Sequence, residues 1–351
     1  MTYHFVHVIA ECGAESLRRA RKGGLTMGKM GKAVWSHPTR DFTEGIQSVS
    51  KMVERLKGAG FDLIIPCVKG TDGALSYHSR IGEVHPGFRD WDPLEALSQE
   101  ASKAGLKVHP WMCVFTEGDR SRLLRENPDL VARDREGNPL GWACPRREEV
   151  QRYELSLYEE VMERYDVAGL HLDYIRHAGP QMCFCQVCRD DFRKLTGKEL
   201  TKLTSKDEEW ERFLEWRAEP ITRFVRNIRE MTRRRDKELS AAVFPEYPSC
   251  LIGVGQDWVR WVEERLVDYL FPMNYTNSSK VAVSRTRCHI ALVGESVPVW
   301  EGLGKSSSAS YLPTEKLMRQ IEGVLDAGAQ GIVLFHYAAV EDSDLDQIGR
   351  L

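Results

Sequence analysis

The sequence predicts an α/β fold, a (β/α)8 TIM barrel with elongated βα loops after strands 2, 3 and 4. Short apolar runs at 33–36, 61–68, 106–114, 167–173, 239–244, 267–273, 297–300 and 331–335 supply eight strands. Between them lie stretches of helical period at 43–58, 93–104, 148–164, 207–234, 256–265 and 314–327, which is the alternation of repeated βα units. Glycine stands where helices hand over to strands, in KGAGF, KAGLK and DAGAQG. A doubly wound sheet would carry a Gly-rich phosphate turn after its first strand, and none follows AVWSH.

Taken in chain order, the expected barrel domain occupies 33–351, and residues 1–32 form an N-terminal extension. The opening MTYHFVHVIAEC is apolar but lacks a basic leader and runs into SLRRARKGG, which argues against a signal peptide. Met27 and Met30 are alternative starts. The connections at 69–92, 115–147 and 174–206 are too long for simple turns, so they are expected to build or cover a cleft at the carboxyl ends of the strands. The last of these is a thiol-rich insertion.

With 351 residues, 42% hydrophobic and 29% charged, the chain suffices for one large core. The net charge of -3, from 49 basic and 52 acidic residues, provides no global field for nucleic acid or anionic lipid. The basic run Arg233, Arg234, Arg235 ends a helix, where cations suit the dipole. No apolar run reaches the length of a membrane span. Nine cysteines, several inside strand-like runs such as IIPCV and HPWMCVF, point to free thiols and a cytoplasmic location. The oligomeric state is not legible in these patterns.

In a barrel of this kind every strand end faces one mouth, so the acids at strand ends are the first candidates for chemistry. They are Asp72, Glu117, Asp173, Glu246 and Glu301. Asp173 ends an unbroken apolar strand, and Glu246 follows the neighbouring one. Two carboxyl groups flanking one bond are what glycoside hydrolysis needs, one to protonate the leaving oxygen and one as nucleophile or base. Asp72 and Glu117 lean towards structural or substrate-contacting roles. Trp111, Trp142, Tyr174, Tyr275 and Trp300 thicken the same strand ends and suit the CH faces of sugar rings. Glu301, Arg176, Asn274, Tyr275 and His336 are expected to hold hydroxyl groups. His171 lies two residues before Asp173, so it points the same way and is expected to orient it.

Cys183, Cys185 and Cys188 in CFCQVC can clamp one tetrahedral ion. Cys144 and His177 are candidates for the fourth ligand, with Cys113 behind them. A thiol-rich set argues for a structural zinc rather than a catalytic one, which would keep an open position.

The run REEVQRYELSLYEEVMERYDVAGLHLDYIR, with CP before it and CFCQVCRDDFRKLTG after it, resembles the glycosyl-hydrolase-like barrel proteins of the family-10-like group. KAVWSHP, AGFDLIIPCVKGTDGALSYHS, DYLFPMNY and GIVLFHYA extend the resemblance over nearly the whole chain after about residue 32. The thiol segment is similar to the zinc loop of family 42 β-galactosidases, where the cluster is structural. The resemblance implies a carbohydrate-active TIM barrel with Asp173 on the family's strand-four aspartate. Related barrels set a nucleophilic Asp after strand four and an acid Glu after strand five, which are Asp173 and Glu246 here. Ala168 stands where the pattern has the Asp of a "DG" pair. A hydrolase of O-glycosidic bonds is therefore the leading expectation, against a non-catalytic saccharide-binding protein on the same scaffold and a metal-dependent hydrolase.

Overall fold

The computed structural model describes residues 30–351, so most of the expected N-terminal extension, with the alternative start Met27, lies outside the described residues. The strands in chain order are β1 (Gly31–Ser36), β2 (Leu63–Lys69), β3 (Lys107–Val108), β4 (Trp111–Cys113), β5 (Val131–Arg133), β6 (Pro139–Ala143), β7 (Gly169–Asp173), β8 (Glu238–Val243), β9 (Tyr269–Pro272), β10 (Trp300–Gly304) and β11 (Gly331–Phe335). The parallel order β10-β11-β1-β2-β4-β7-β8-β9 is that of a nearly closed barrel of eight parallel strands. Parallel bridges at Leu270↔Val299 and Met273↔Gly302 bring its first and last members together.

The third barrel strand, expected over 106–114, comes in two pieces, β3 and β4. Pro110 has no N–H to give to the ladder, so pairing lapses there, although its carbonyl still accepts the His171 N–H at 3.0 Å. The antiparallel pair β5–β6 is a hairpin inside the long loop that follows.

The helices are α1 (Pro38–Asp41), α2 (Ile46–Gly58), α3 (Pro93–Ala104), α4 (Arg122–Glu126), α5 (Glu148–Arg164), α6 (Gln186–Thr196), α7 (Trp210–Arg234), α8 (Ser249–Val254), α9 (Trp258–Glu263), α10 (Ser279–Val293), α11 (Thr314–Asp326) and α12 (Asp342–Ile348). The local chemistry of α3 is clear: Asp92 accepts the N–H groups of Leu94 and Glu95 at 3.0 and 3.1 Å, Pro93 opens the first turn, and Gly105 closes the helix at φ 67°. Helix α10 lies outside the helical stretches named from the sequence. Its buried face is Ala282, Thr286, His289 and Val293, a stripe too polar to read as amphipathic. None of the helices among the described residues is long and apolar enough to cross a membrane.

The main core lies between the strands and the surrounding helices, and a second fills the barrel with Trp35, Trp111, Phe271 and Val333. A line of polar groups runs down that interior. Trp35 Nε1–H donates to His171 Nε2 at 3.1 Å, so the His171 proton sits on Nδ1 and is given to Ser240 Oγ at 2.9 Å. Ser240 also meets His109 Nδ1 at 3.1 Å, and His109 Nε2 reaches Glu238 at 3.1 Å. Burial lowers the pKa of both His171 and His109, which keeps them neutral in this column. A third, separate cluster gathers the cysteines of the 174–206 insertion with Phe184, Phe192 and Phe213.

Candidate functional site

Asp173 is the last residue of β7, and its side chain keeps only 12% of its exposure. The chain turns sharply after it: Tyr174 takes φ 49°, a left-handed conformation uncommon for a bulky residue. That turn lets the Tyr174 N–H donate to Asp173 Oδ1 at 2.6 Å, and Arg176 Nη1 donates to the same oxygen at 3.2 Å. Burial raises the Asp173 pKa, while the Arg176 charge and the Tyr174 N–H pull it back. The Arg176 guanidinium is held between the rings of Tyr174 and Phe244, at 4.2 and 4.7 Å from their centroids. Trp142 of β6 leans on Tyr174 at 5.9 Å, so the hairpin forms one wall beside the acid.

His171, expected to orient Asp173, points the same way along β7 but spends both ring nitrogens on Trp35 and Ser240. The orienting partner is Arg176. Trp111 pairs across the ladder with His171 and is buried, with its indole N–H lacking a partner among the described residues. Tyr275 stacks on Phe335 at 5.2 Å and lies near enough to Asp173 for that charge to raise its own pKa further, after burial. His336 follows β11 and accepts from Arg40 Nη1 at 2.7 Å. Tyr275, Phe335 and His336 form a ring cluster there with His37, which follows β1. Sequence reasoning passed over His37 and Arg40 because the first βα loop, HPTR, carries no strand-end acid beyond its short helix; the HP pair at a strand end was the available signal.

Other sequence candidates have partners of their own. Glu246 follows β8, but its side chain is 54% exposed and ion-paired with Arg285 of α10. His289, also on α10, bonds Pro245 O at 2.7 Å, so the same helix pins this loop twice. Glu301 and Asn274 correct the expectation that they hold sugar. Glu301 is fully buried and faces outward from the barrel, bonding His289 Nδ1 at 2.7 Å and Asn274 Nδ2 at 3.0 Å. Burial alone would lower the His289 pKa, but Glu301 more than reverses this and raises it, and the contact locks α10 to the wall. Trp300 is likewise displaced: β10 begins at Trp300 rather than ending there, and its ring packs over Gly31 and Gly331 at the amino-terminal floor. Asp72 pairs with Arg120 at 3.3 Å near the surface, and Glu117 is buried against Lys69.

The structure brings Cys144, just after β6, together with Cys183, Cys185 and Cys188, all four ligand atoms within 4.8 Å of one another and all buried. Cys144 Sγ lies 3.5 Å from Cys188 Sγ and 3.7 Å from Cys185 Sγ. A tetrahedron with metal–sulfur bonds of about 2.3 Å has edges of about 3.8 Å, so the set fits a metal ion with no open position. His177 instead meets Arg217 O at 3.0 Å, and Cys113 lies in the barrel beside Cys67, so neither completes the set. Arg146 and Arg217 lie close enough for these cysteines to act on their pKa values and would offset the charge of thiolates holding an ion. Since Cys144 and Cys183 belong to different βα loops, an ion here ties the hairpin to the insertion.

The family model for glycosyl hydrolase-like 10 matches residues 32–300. The chain belongs to the glycosyl hydrolase-like 10 family. Among curated relatives it is similar to the glycosyl hydrolase DigH of Escherichia coli, 24% identical over 290 residues, covering 70% of this chain and 62% of that one. It is also similar to an S-layer-related protein of Niallia circulans, 24% identical over 243 residues, covering 56% of this chain and 15% of that one. The chain thus spans less than two thirds of either relative's length. Among solved structures, the glycoside hydrolase domain of PgaB (BpsB) from Bordetella bronchiseptica aligns with a TM-score of 0.75 at 13% identity, over 91% of this chain and 98% of that one. The cold-adapted β-galactosidase of Rahnella sp. R3 aligns with a TM-score of 0.67 at 12% identity, over 93% and 56% of the two chains. At these identities the likeness is one of fold. A glycosyl hydrolase-like 10 barrel, then, carries its buried strand-four acid at the mouth.

Proposed function

We propose that this chain is a glycoside hydrolase that cleaves O-glycosidic bonds of an oligosaccharide or glycoconjugate, with Asp173 as nucleophile or charge stabiliser and Glu246 as general acid/base. The observation that carries the reading is Asp173 itself, a strand-end carboxylate almost out of water, held by Arg176 and framed by Trp142, Tyr174 and Tyr275. In this scheme Asp173 Oδ2, the oxygen that Tyr174 and Arg176 do not engage, faces the anomeric carbon, and the aromatic rings carry the sugar faces. Glu246 would exchange Arg285 for the leaving oxygen, donate a proton to it, and take one back from water. The test is release of new reducing ends from neutral and acidic oligosaccharides and aryl glycosides. Failure on every substrate class would end the reading. Product stereochemistry then reports the working carboxyl separation, roughly 5–5.5 Å for retention and 6.5–9.5 Å for inversion.

The exposure of Glu246 and its pairing with Arg285 favour a second reading, a saccharide-binding protein without turnover. The two separate on Glu246→Gln. As an acid/base its loss lowers kcat by about 10²–10⁴-fold with sugar affinity kept, whereas in a binding protein the wild type already shows affinity without turnover.

We assign the four thiolates a structural zinc. Elemental analysis should find one zinc per chain, and Cys144→Ser should lose it. Limited proteolysis of that variant should then cut within the hairpin and the 174–206 insertion while the barrel's far-ultraviolet dichroism persists, because the thiol cluster is a separate packing unit from the barrel interior. An unchanged cleavage pattern in the metal-free variant would remove the structural role. Loss of rate with the loops intact would favour a catalytic ion.

A further inference from the structure

At the mouth, where β11 and β1 end side by side, three nitrogenous side chains converge without a carboxylate among them. His37 and His336 meet edge to face at 5.6 Å, and Arg40 Nη1 donates to His336 Nε2 at 2.7 Å. Among the described residues Nδ1 of His37 is buried without a partner. So is the indole N–H of Trp111, whose ring lies 5.5 Å from that of His37. Among the described residues Arg40 forms no ion pair; it is exposed, and the Nη1 contact leaves most of its donor fork free. The adjacent carboxylate, Asp41, is turned beneath the helix start, where it accepts from Ser36 Oγ at 2.8 Å and the His37 N–H at 2.7 Å.

We propose that Arg40, His37 and His336 form a subsite for a carboxylate carried by the glycan, so that the substrate is an acidic sugar chain. The inference rests on the hydrolase reading for its substrate and on the local geometry for its charge. The wall is rich in donors and poor in acceptors, whereas a sugar hydroxyl asks for both. Arg40 places positive potential at this wall, partly offset by Asp41. After burial, the neighbouring His336 and Arg40 lower the His37 pKa to about 4, and Arg40 lowers that of His336. A neutral ligand leaves that potential as it is, while a carboxylate relieves it and fits the planar fork of arginine. The rings of Trp111 and Phe335, at 5.5 and 5.7 Å from His37, supply the apolar flank for the sugar bearing the charge.

The test is titration of the full chain with D-glucuronate, D-glucose and D-glucose 6-sulfate, followed by calorimetry and by histidine proton resonances. Glucuronate should bind about tenfold or more tightly than glucose. Arg40→Gln should bring the two within about twofold, and Arg40→Lys should keep most of the preference. Equal or absent binding of glucuronate and glucose by wild type, or a preference that survives Arg40→Gln in a folded variant, overturns the subsite. Tighter binding of the sulfate ester than of glucuronate overturns the carboxylate assignment. Asp173→Asn should keep the preference. A chain that discriminates glucuronate yet cleaves no glycan would defeat the hydrolase reading and leave the subsite standing.

Discussion

Replacing the strand-four acid, Asp173→Asn, should leave the barrel folded and lower turnover by about 10³-fold or more. The amide keeps the shape of the carboxyl group, and its oxygen can still accept the N–H of Tyr174 and the guanidinium of Arg176. What it loses is the negative charge, and with it either a covalent bond to the sugar or the field that steadies an oxocarbenium ion. Stability should move the other way. Burial raises the Asp173 pKa above its ordinary value of 3.8, so the folded chain holds the proton more tightly than the unfolded one. Stability therefore falls as pH rises from the unfolded value through the folded one, and the deficit persists at neutral pH. The amide variant has no such deficit, so its melting at pH 7 should occur at or above the wild-type temperature. The wild-type kcat/KM should show an acid limb above pH 3.8, the ordinary value of this carboxyl group, which the variant lacks. A folded Asp173→Asn protein turning over at the wild-type rate on an authentic substrate would remove Asp173 from the chemistry.

Asp173 was legible because its strand carries no acid before it, so the first carboxylate marks the mouth. Cys144 was legible as a candidate to join the three thiols of the insertion, although only the fold could place it there rather than His177. The seventh barrel strand was misread for a physical reason. Glycine reads as a turn, and WEGLG carries two, so the strand seemed to stop at Trp300. In the barrel Gly302 is required by packing: a Cβ there would lie 2.8 Å from Pro272 O and 2.9 Å from the Trp35 ring. Shifting the strand moves Trp300 to the floor and puts Glu301 within the ladder, on the outer face. His37 and Arg40 stayed hidden because a search for carboxylates does not find a wall of donors. What sequence patterns cannot supply is which strand-end polar groups spend themselves on neighbouring helices, as Asn274 and Glu301 do with α10.

The largest effect on stability is expected at Lys69, whose role no spacing announced. It ends β2 and is fully buried, with Nζ bonded to Val114 O at 2.9 Å and Glu154 at 2.6 Å, and with Glu117 as a further ion-pair partner. Burial would lower the Lys69 pKa, but the two carboxylates reverse this and raise it, while burial raises that of Glu154 well above the carboxylate range. The two carboxyl groups share one lysine cation, and this pairing is what makes the burial of all three tolerable. Lys69→Met removes the cation and strands acid groups beyond the reach of water, a loss of roughly 3–5 kcal/mol. The damage should reach the mouth, because Val114, held by Lys69, donates its N–H to the Asp173 carbonyl at 3.1 Å. Adding Glu117→Gln and Glu154→Leu to Lys69→Met should recover most of the stability, since the cost lies in unpaired buried charge more than in lost contacts. Denaturant midpoints of the single and triple variants check both steps. A single variant within about 1 kcal/mol of wild type, well short of the loss that stranding a buried charge entails, would mean that water reaches the cluster and that Lys69 does not anchor the loop beneath Asp173.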